Sequence, residues 1–585
     1  MTRLRSAFGG FAALLVLASA CSYHHTDSAA VHLADPGKCE PVDVAAAPET
    51  AKLLQDTAAR FNGSDAARTP DGSCVLVRVQ PVDSAVALRE LTGNWPDTKR
   101  LGPAPVVWVP GSTMWGELLN ARLADGHRPP MAPNGTPFAR TPLVVALPDD
   151  MAGALGASHP VLGWTDLEQL AHDPRGWGAY GHPEWGPFRL GKGNPLWSTT
   201  GLDATVAIDA SPAAAPRARQ LEQSVVYYSD STQAYFENWA RLGKATPARA
   251  RRYLSAVITD ERSVVAYNTG HAKNDEFVTG HATRPAVPLA AIYPKDATIE
   301  SDNPIIVLDA PWSSAVARAG ARRFTNFALQ PATQAKVAAA GFRPGSGALR
   351  ADLLNQTNGV DASAHSESVA PASPASIEQA LAHWQSIRRR ANVLVLFDVS
   401  DSMGDPADPM EPIGPTKMAL AKPALSAAFD QLAPDDNVGL RIFTTKLPNP
   451  VSPNWLDVVP RGPLAPRRVA LQKAVTALTP RLGSPLYAAT RDAYDAVART
   501  ADPQRINGVI LLTDGYNEDD HDTGLHSLLT HLAAKPDIHV VTIAYSSQAD
   551  LATLEQIAQS TNAGTYDAHD TNDLADLLPR AFANF

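Results

Sequence analysis

Cysteine is nearly absent from this chain, with three in 585 residues. No CxxC pair and no grouping of cysteine with histidine occurs, so neither a zinc centre nor a dithiol redox centre is expected. Beyond the N-terminus there is no apolar run near the roughly 20 residues that a membrane-crossing helix needs. Positive charge is also in deficit: 50 Lys and Arg stand against 60 Asp and Glu, a formal net charge of -10. That balance argues against nucleic acid as a partner, because phosphate-binding surfaces concentrate Lys and Arg. The run Arg388–Arg390 is too short to reverse it. Neither a GxSxG elbow nor an HExxH helix is found, so no hydrolase signature supports an enzyme. The stretch from Gly186 to Lys192 fits the start of a P-loop, but Gly193 replaces the Ser or Thr that would hold Mg²⁺.

What is present begins with a secretory signal. Arg3 and Arg5 precede the short apolar run FAALLVLASA, which ends in small residues at Cys21. Ala18-Ser19-Ala20-Cys21 resembles a bacterial lipoprotein box, with Ala18 where Leu is more usual. The resemblance implies a signal peptide over residues 1–20, acylation of Cys21, and a membrane anchor made by the lipid alone. The protein is then expected on the extracytoplasmic face of the cell membrane. In an exported chain the remaining pair, Cys39 and Cys74, is expected to form a disulfide contributing about 3–4 kcal/mol.

Residues 21–38 are polar and read as a tether. From 39 to 355, strand-like runs (VLVRVQPV, PVVWVP, PLVVALP, YLSAVIT, LAAIYP, IIVLDAP) alternate with helical segments, the pattern of an α/β architecture. Residues 356–378 are rich in Ser, Ala and Pro and form a linker. A helix over 379–390 leads into a second α/β block, 391–585. There NVLVLF, VGLRIF, GVILLT and IHVVTIAY are continuous apolar runs of the kind buried on both faces of a parallel sheet. Such a doubly wound sheet binds its ligands at the carboxyl ends of its strands.

The first of these strands runs into Asp398, Ser400, Asp401 and Ser402. GVILLT runs into Asp514, and Ser484 opens a helix between them. Two carboxylates and three hydroxyls are hard oxygen donors, which suit Mg²⁺, Ca²⁺ or Mn²⁺ and not zinc. Asp398-Ser400-Ser402, a distal hydroxyl and then LLTDG resemble the von Willebrand factor A (VWA) family, over about residues 390–585. The resemblance implies a Rossmann-like sheet carrying a metal-ion-dependent adhesion site. Ser400, Ser402 and Ser484 would ligate a divalent cation, Asp398 and Asp514 would act directly or through water, and a protein partner's carboxylate would complete the shell. Ser484 stands where the family usually has Thr. Asp401 stands where many members have Gly, a third carboxylate expected to tighten the cation and repel an acidic ligand. Acidic loops flank this group at Asp405, Asp408 and Glu411 and again at Glu518, Asp519, Asp520 and Asp522. His521, His526 and His531 recur every five residues, which spreads them around a helix and argues against a zinc triad.

The front half has a likeness of its own. VVWVPGSTMWGELL, PLVVALPDDMAGALG, RLGKGNPLWSTTGLDA, AIYPKDATIESDNPIIVLDAPW and FALQPATQAKVAAAGFRPG, in that order, resemble bacterial extracellular solute-binding proteins. That resemblance implies a two-lobed periplasmic-binding-protein fold of type II. Two hydroxyl-rich loops enter helices there, at Ser112-Thr113 and at Ser198-Thr199-Thr200. Free backbone N–H groups beside such hydroxyls can hold an anion, although Ser and Thr are also ordinary N-caps. A small solute, anionic in character, is the corresponding expectation, with Trp115, Tyr267 and Tyr293 as further cleft candidates or core residues. The combined reading is a lipid-anchored, non-enzymatic binding protein that captures a protein partner through its cation site. The alternative is a receptor delivering a solute to a permease, with the VWA part as an accessory.

Overall fold

Among the described residues three sheets form, and apolar strands such as Val107–Val109, Ala139–Pro148 and Ile538–Tyr545 supply their buried centres. A computed structural model describes residues 33–68, 73–156, 162–210, 214–271, 282–296, 298–363, 372–447, 452, 454–518, 524–535 and 537–585. The expected signal peptide, Cys21 and most of the tether lie outside the described residues. So do linker residues 364–371 and Asp519, Asp520, His521 and Asp522.

The first sheet runs in the order Val75–Pro81, Glu40–Ala46, Val107–Val109, Pro304–Val307, Thr136–Pro137. Its first three strands are parallel, and Pro304–Val307 returns antiparallel. The second sheet runs Glu300–Ser301, Ala139–Pro148, Ala256–Asp260, Leu190–Gly193, Val225–Ser229, and Leu289–Ile292 also pairs with Ala139–Pro148. The chain crosses between the sheets just after Thr136–Pro137, again between Ser301 and Pro304, and a third time before Arg343–Pro344, which pairs with Ala139–Pro148. Two lobes joined by three crossings result, the architecture of a periplasmic binding protein. Cys39 and Cys74 are disulfide-bonded where the neighbouring strands Glu40–Ala46 and Val75–Pro81 begin.

The third sheet carries the order Trp455–Pro463, Asn437–Phe443, Arg390–Asp398, Arg505–Thr513, Ile538–Tyr545, Thr565–Ala568. Every pairing is parallel except that of Trp455–Pro463, which lies antiparallel at the edge. All eight residues of Ile538–Tyr545 are buried, as helices covering both faces of a parallel sheet require. From the central strand Arg390–Asp398 the chain turns first to one neighbour and later to the other. The crevice at that reversal is where a doubly wound sheet places its ligand. Pro423 lies inside the helix Lys417–Ala428 without ending it.

The helix expected over 379–390 instead spans Pro374–Ile387, capped by the Ser373 hydroxyl, and Arg390 already begins the central strand. Its buried Ile377, Ala380 and Leu381 join Trp115, Leu118, Leu202 and Val206 in one apolar cluster. The three arginines that follow are structural and form no basic patch. Arg388 is buried against Asp436 and donates to the Phe585 carbonyl, Arg389 donates to the Val225 carbonyl, and Arg390 pairs with Asp435.

The last helix, Leu574–Phe582, ties both lobes to the third sheet. Asp576 pairs with Arg89 and Arg100 of the first lobe, and Arg580 pairs with Asp83 of that lobe and Asp230 of the second. Asn194 donates to the Ala583 carbonyl at 2.8 Å and the Tyr228 amide to the Asn584 carbonyl at 2.9 Å. Trp197 reaches Gln431 at 3.1 Å. Among the described residues no helix is long and apolar enough to cross a membrane.

Candidate functional site

The central strand delivers Asp398 to the carboxyl edge of the third sheet, and an Asx-type turn begins at once: the Ser400 amide donates to Asp398 Oδ1 at 2.7 Å. This turn swings Ser400 and Ser402 towards Asp514, which follows the adjacent strand Arg505–Thr513. Ser402 Oγ lies 2.9 Å from Asp514 Oδ1, and Ser400 Oγ lies 3.0 Å from Ser402 Oγ and 3.4 Å from the same carboxylate oxygen. Ser484, just ahead of the helix Leu486–Ala498, donates to Asp398 Oδ2 at 3.2 Å. All five residues singled out in the sequence therefore meet. Asp398, Ser400, Ser484 and Asp514 are buried, and Ser402 is half-buried.

Three further side chains belong to the group and were not singled out. Thr513 Oγ1 donates to Asp398 Oδ2. Lys417, the first residue of its helix, donates its ammonium to Asp514 Oδ2 at 2.8 Å and to Gln548 Oε1 at 2.9 Å. Thr513 was legible, since it stands directly before Asp514. Gln548 follows the strand Ile538–Tyr545, so a search of every strand end along the rim would have reached it. The signal for Lys417 is subtler: a lysine in the first turn of a helix opposes the helix dipole and needs another reason to be there.

Burial pushes the Asp398 carboxyl up to about 7, the Asp514 carboxylate beside it pushes the same way, and donors from Thr513 and Ser400 only partly oppose them. Two carboxylates held this close with hydroxyls between them make a site short of positive charge. The donors are all hard oxygens, and Lys417 occupies the outer oxygen of Asp514 while leaving Oδ1 turned towards the serines. This set fits a small divalent cation. Among the described residues no group of three or more His, Cys, Asp or Glu is arranged to hold a metal, so a ligand set here has to draw on hydroxyls.

Asp401 is exposed and begins a single 3-10 turn, outside the converging group. Glu518 folds back instead, its carboxylate accepting the Ser484 amide at 3.1 Å. Asp408 accepts the Met410 amide at 2.8 Å, and His531 pairs with Asp495 at 2.8 Å.

In the front half the two hydroxyl-rich loops face each other across the lobes, and their hydroxyls are taken. Trp115 Nε1 crosses to Thr199 Oγ1 at 3.0 Å. The Thr113 amide donates to Asp302 at 2.8 Å and its hydroxyl to the other oxygen of that carboxylate. Ser112 accepts the Met114 amide, while Ser198 accepts the Gly201 amide and bonds Thr200 at 3.1 Å. The lobes approach so closely that a Cβ on Gly111 would lie 2.5 Å from Thr199 Oγ1 and 2.8 Å from Glu49 Oε1. Burial pushes the Asp203 carboxyl up to about 7. Trp115, Tyr267 and Tyr293 are core residues, and the Tyr267 hydroxyl is spent on the Val287 carbonyl at 3.0 Å. Lys192, the lysine of the P-loop near miss, is buried in an ion pair with Glu222.

Residues 42–343 match the family of bacterial extracellular solute-binding proteins, and residues 391–568 match the von Willebrand factor type A domain. Two Mycobacterium tuberculosis proteins, uncharacterized protein Rv1836c and uncharacterized protein MT1884, are each 24% identical over 564 residues, 92% of this chain and 76% of theirs. Among solved structures, the von Willebrand factor type A protein of Catenulispora acidiphila is 22% identical, with 33% of this chain and 42% of that one covered, at a TM-score of 0.27. The periplasmic binding protein AfuA of Actinobacillus pleuropneumoniae is 12% identical, with 60% of this chain and 98% of that one covered, at a TM-score of 0.36. Mussel proximal thread matrix protein 1, in a structure described as having a zinc-occupied MIDAS motif, is 18% identical over 32% of this chain and 46% of that one, at a TM-score of 0.24. The chain belongs to the bacterial extracellular solute-binding protein family and carries a VWA domain behind that fold.

Proposed function

We propose that this protein is a lipid-anchored, non-enzymatic binding protein of the extracytoplasmic face, which captures a protein partner at the rim of its VWA domain in a divalent-cation-dependent way. The observation carrying this reading is the convergence of Asp398, Ser400, Ser402, Ser484 and Asp514 at the switch point of the third sheet. Asp398 and Asp514 set the charge, and the three serines offer hydroxyl oxygens. A bound Mg²⁺, Ca²⁺ or Mn²⁺ would supply the positive point charge that a partner's carboxylate seeks. Large exposed apolar side chains on loops of the same domain, Met410, Ile413, Leu482 and Tyr516, offer contact area for a protein surface. The solute-binding fold then serves as a closed scaffold held by the last helix. Anchorage through Cys21 rests on the lipoprotein-like sequence alone.

A second reading, delivery of a small solute to a permease, is favoured by the two loops that face each other across the lobes.

The test is recovery of partners from native cell envelopes by the full chain and by Asp514→Ala, in Mg²⁺ and in EDTA. Proteins retained by the parent in Mg²⁺ and lost in the other three conditions support the proposal. Identical recovery in all four overturns it.

A further inference from the structure

Among the described residues of this rim, Lys417 is explained by neither ligand chemistry nor helix stability. Its side chain is only 4% exposed and its partner Asp514 is fully buried, so the ion pair is sequestered from water. The position is held from several sides. Thr416 caps the helix through the Ala419 amide, the Lys417 amide donates to the Asp405 carbonyl, and the Tyr545 hydroxyl donates to the Lys417 carbonyl at 2.9 Å. Gln548 takes a second ammonium proton. The ammonium is thus fixed on the far side of Asp514 from the two serines.

The charges of the group then decide what it can take. Asp398 and Asp514 carry two negative charges when ionised, and Lys417 returns one positive charge. A divalent cation among the oxygens would leave these buried charges with one net positive, the Glu518 carboxylate beside Ser484 being exposed and screened by solvent. With a neutral residue at 417, the same cation would leave the cluster neutral.

We propose that Lys417 is a specificity-determining residue, a resident counter-charge that weakens cation binding and leaves the loaded site positively charged, so that it selects an anionic ligand. The inference rests on the cation-site reading given above and assigns Lys417 its part in the preference for a partner's carboxylate. Cation and carboxylate bind together better than either binds alone, because each supplies charge that the other needs. Asp514 keeps one oxygen on the lysine and one towards the serines, so Lys417 also limits that carboxylate to a single oxygen at the site.

The experiment uses the full chain and Mn²⁺ as the probe. Mn²⁺ affinity is read by electron paramagnetic resonance, and carboxylate access by the broadening of the acetate ¹³C signal by protein-bound Mn²⁺. Lys417→Met is expected to tighten Mn²⁺ by about tenfold or more, since removing a like charge beside a divalent ion in a buried site is worth at least that. Acetate broadening per bound Mn²⁺ should fall several-fold. Lys417→Gln, which removes the charge but keeps a donor for Asp514, serves if the Met variant does not fold, with the same direction expected. Lys417→Arg restores the charge and should bind Mn²⁺ within about threefold of the parent. A lysine that only braces the fold would lower the melting temperature without tightening Mn²⁺ in either neutral variant, and that outcome overturns the inference. Absence of Mn²⁺ binding by the parent chain overturns the cation-site reading itself, and the inference with it.

Discussion

Replacing Arg580 by Met should uncouple the last helix from the lobes. The guanidinium is 7% exposed and faces two carboxylates on different lobes: Asp83, whose side chain is 35% exposed, and Asp230, at 5%. Burial opposes the charge on Arg580, yet Asp83, Asp230 and Asp576 together hold its pKa above the ordinary value. The half-exposed partner is screened, and its share is about 1 kcal/mol or less. Asp230 is left buried without its guanidinium, and breaking a buried pair by deleting one member costs about 3–5 kcal/mol. Stacking of the guanidinium over Trp197, 5.6 Å from the ring centroid, adds a further ~0.5–1 kcal/mol. The expected loss is therefore about 5 kcal/mol, dominated by Asp230. Equilibrium urea unfolding followed by tryptophan fluorescence measures it, and far-UV circular dichroism followed in parallel should separate from the fluorescence transition as the two halves lose their coupling. Asp83→Asn should cost less than about 1 kcal/mol. A loss below 1 kcal/mol for Arg580→Met, or an equal loss for Asp83→Asn, would refute the argument that this helix bridges the lobes through Asp230.

Two more perturbations follow from the same structure. Asp398 and Asp203 are each pushed up to about 7 by burial, so the folded chain holds protons that the unfolded chain has released. Their contribution to stability is greatest below the ordinary carboxylate pKa and is lost as pH rises through about 7, up to about 4 kcal/mol for Asp398. His539 runs the other way, because burial pushes it down to about 4 and its contribution is lost as pH falls below its unfolded value. With two groups against one, the melting temperature in EDTA should fall between pH 5.5 and pH 8, and saturating Mg²⁺ should recover part of the loss at pH 8. A flat profile in EDTA contradicts these assignments. Substitution of both Cys39 and Cys74 by Ser should cost about 3–4 kcal/mol in urea unfolding, and a change below 1 kcal/mol would show that the cross-link does not constrain the unfolded chain.

The parallel strands were legible because burial on both faces writes them as unbroken apolar runs. NVLVLF, GVILLT and IHVVTIAY all lie within strands of the third sheet. Trp455–Pro463 was not legible. It is an antiparallel edge strand with exposed positions and two prolines, Pro460 and Pro463, so it carries neither an apolar run nor a clean alternation. The metal-type oxygens were legible because three short motifs in fixed order bring them to one rim. Lys417 was hidden because its partner lies 97 residues away and nothing in the local pattern of its helix announces an ion pair. The hydroxyl loops of the front half were readable as N-caps or as anion holders. Their bonds to Asp302, Trp115 and neighbouring amides assign most of that capacity within the protein.

Direct titration of the full chain with Mn²⁺ by electron paramagnetic resonance, in the parent and in Asp514→Ala, tests the central claim. The account predicts one Mn²⁺ per chain in the parent, displaced by Mg²⁺, and none in a folded Asp514→Ala. Equal binding by the two proteins, or no binding by the parent at millimolar Mn²⁺, would contradict it.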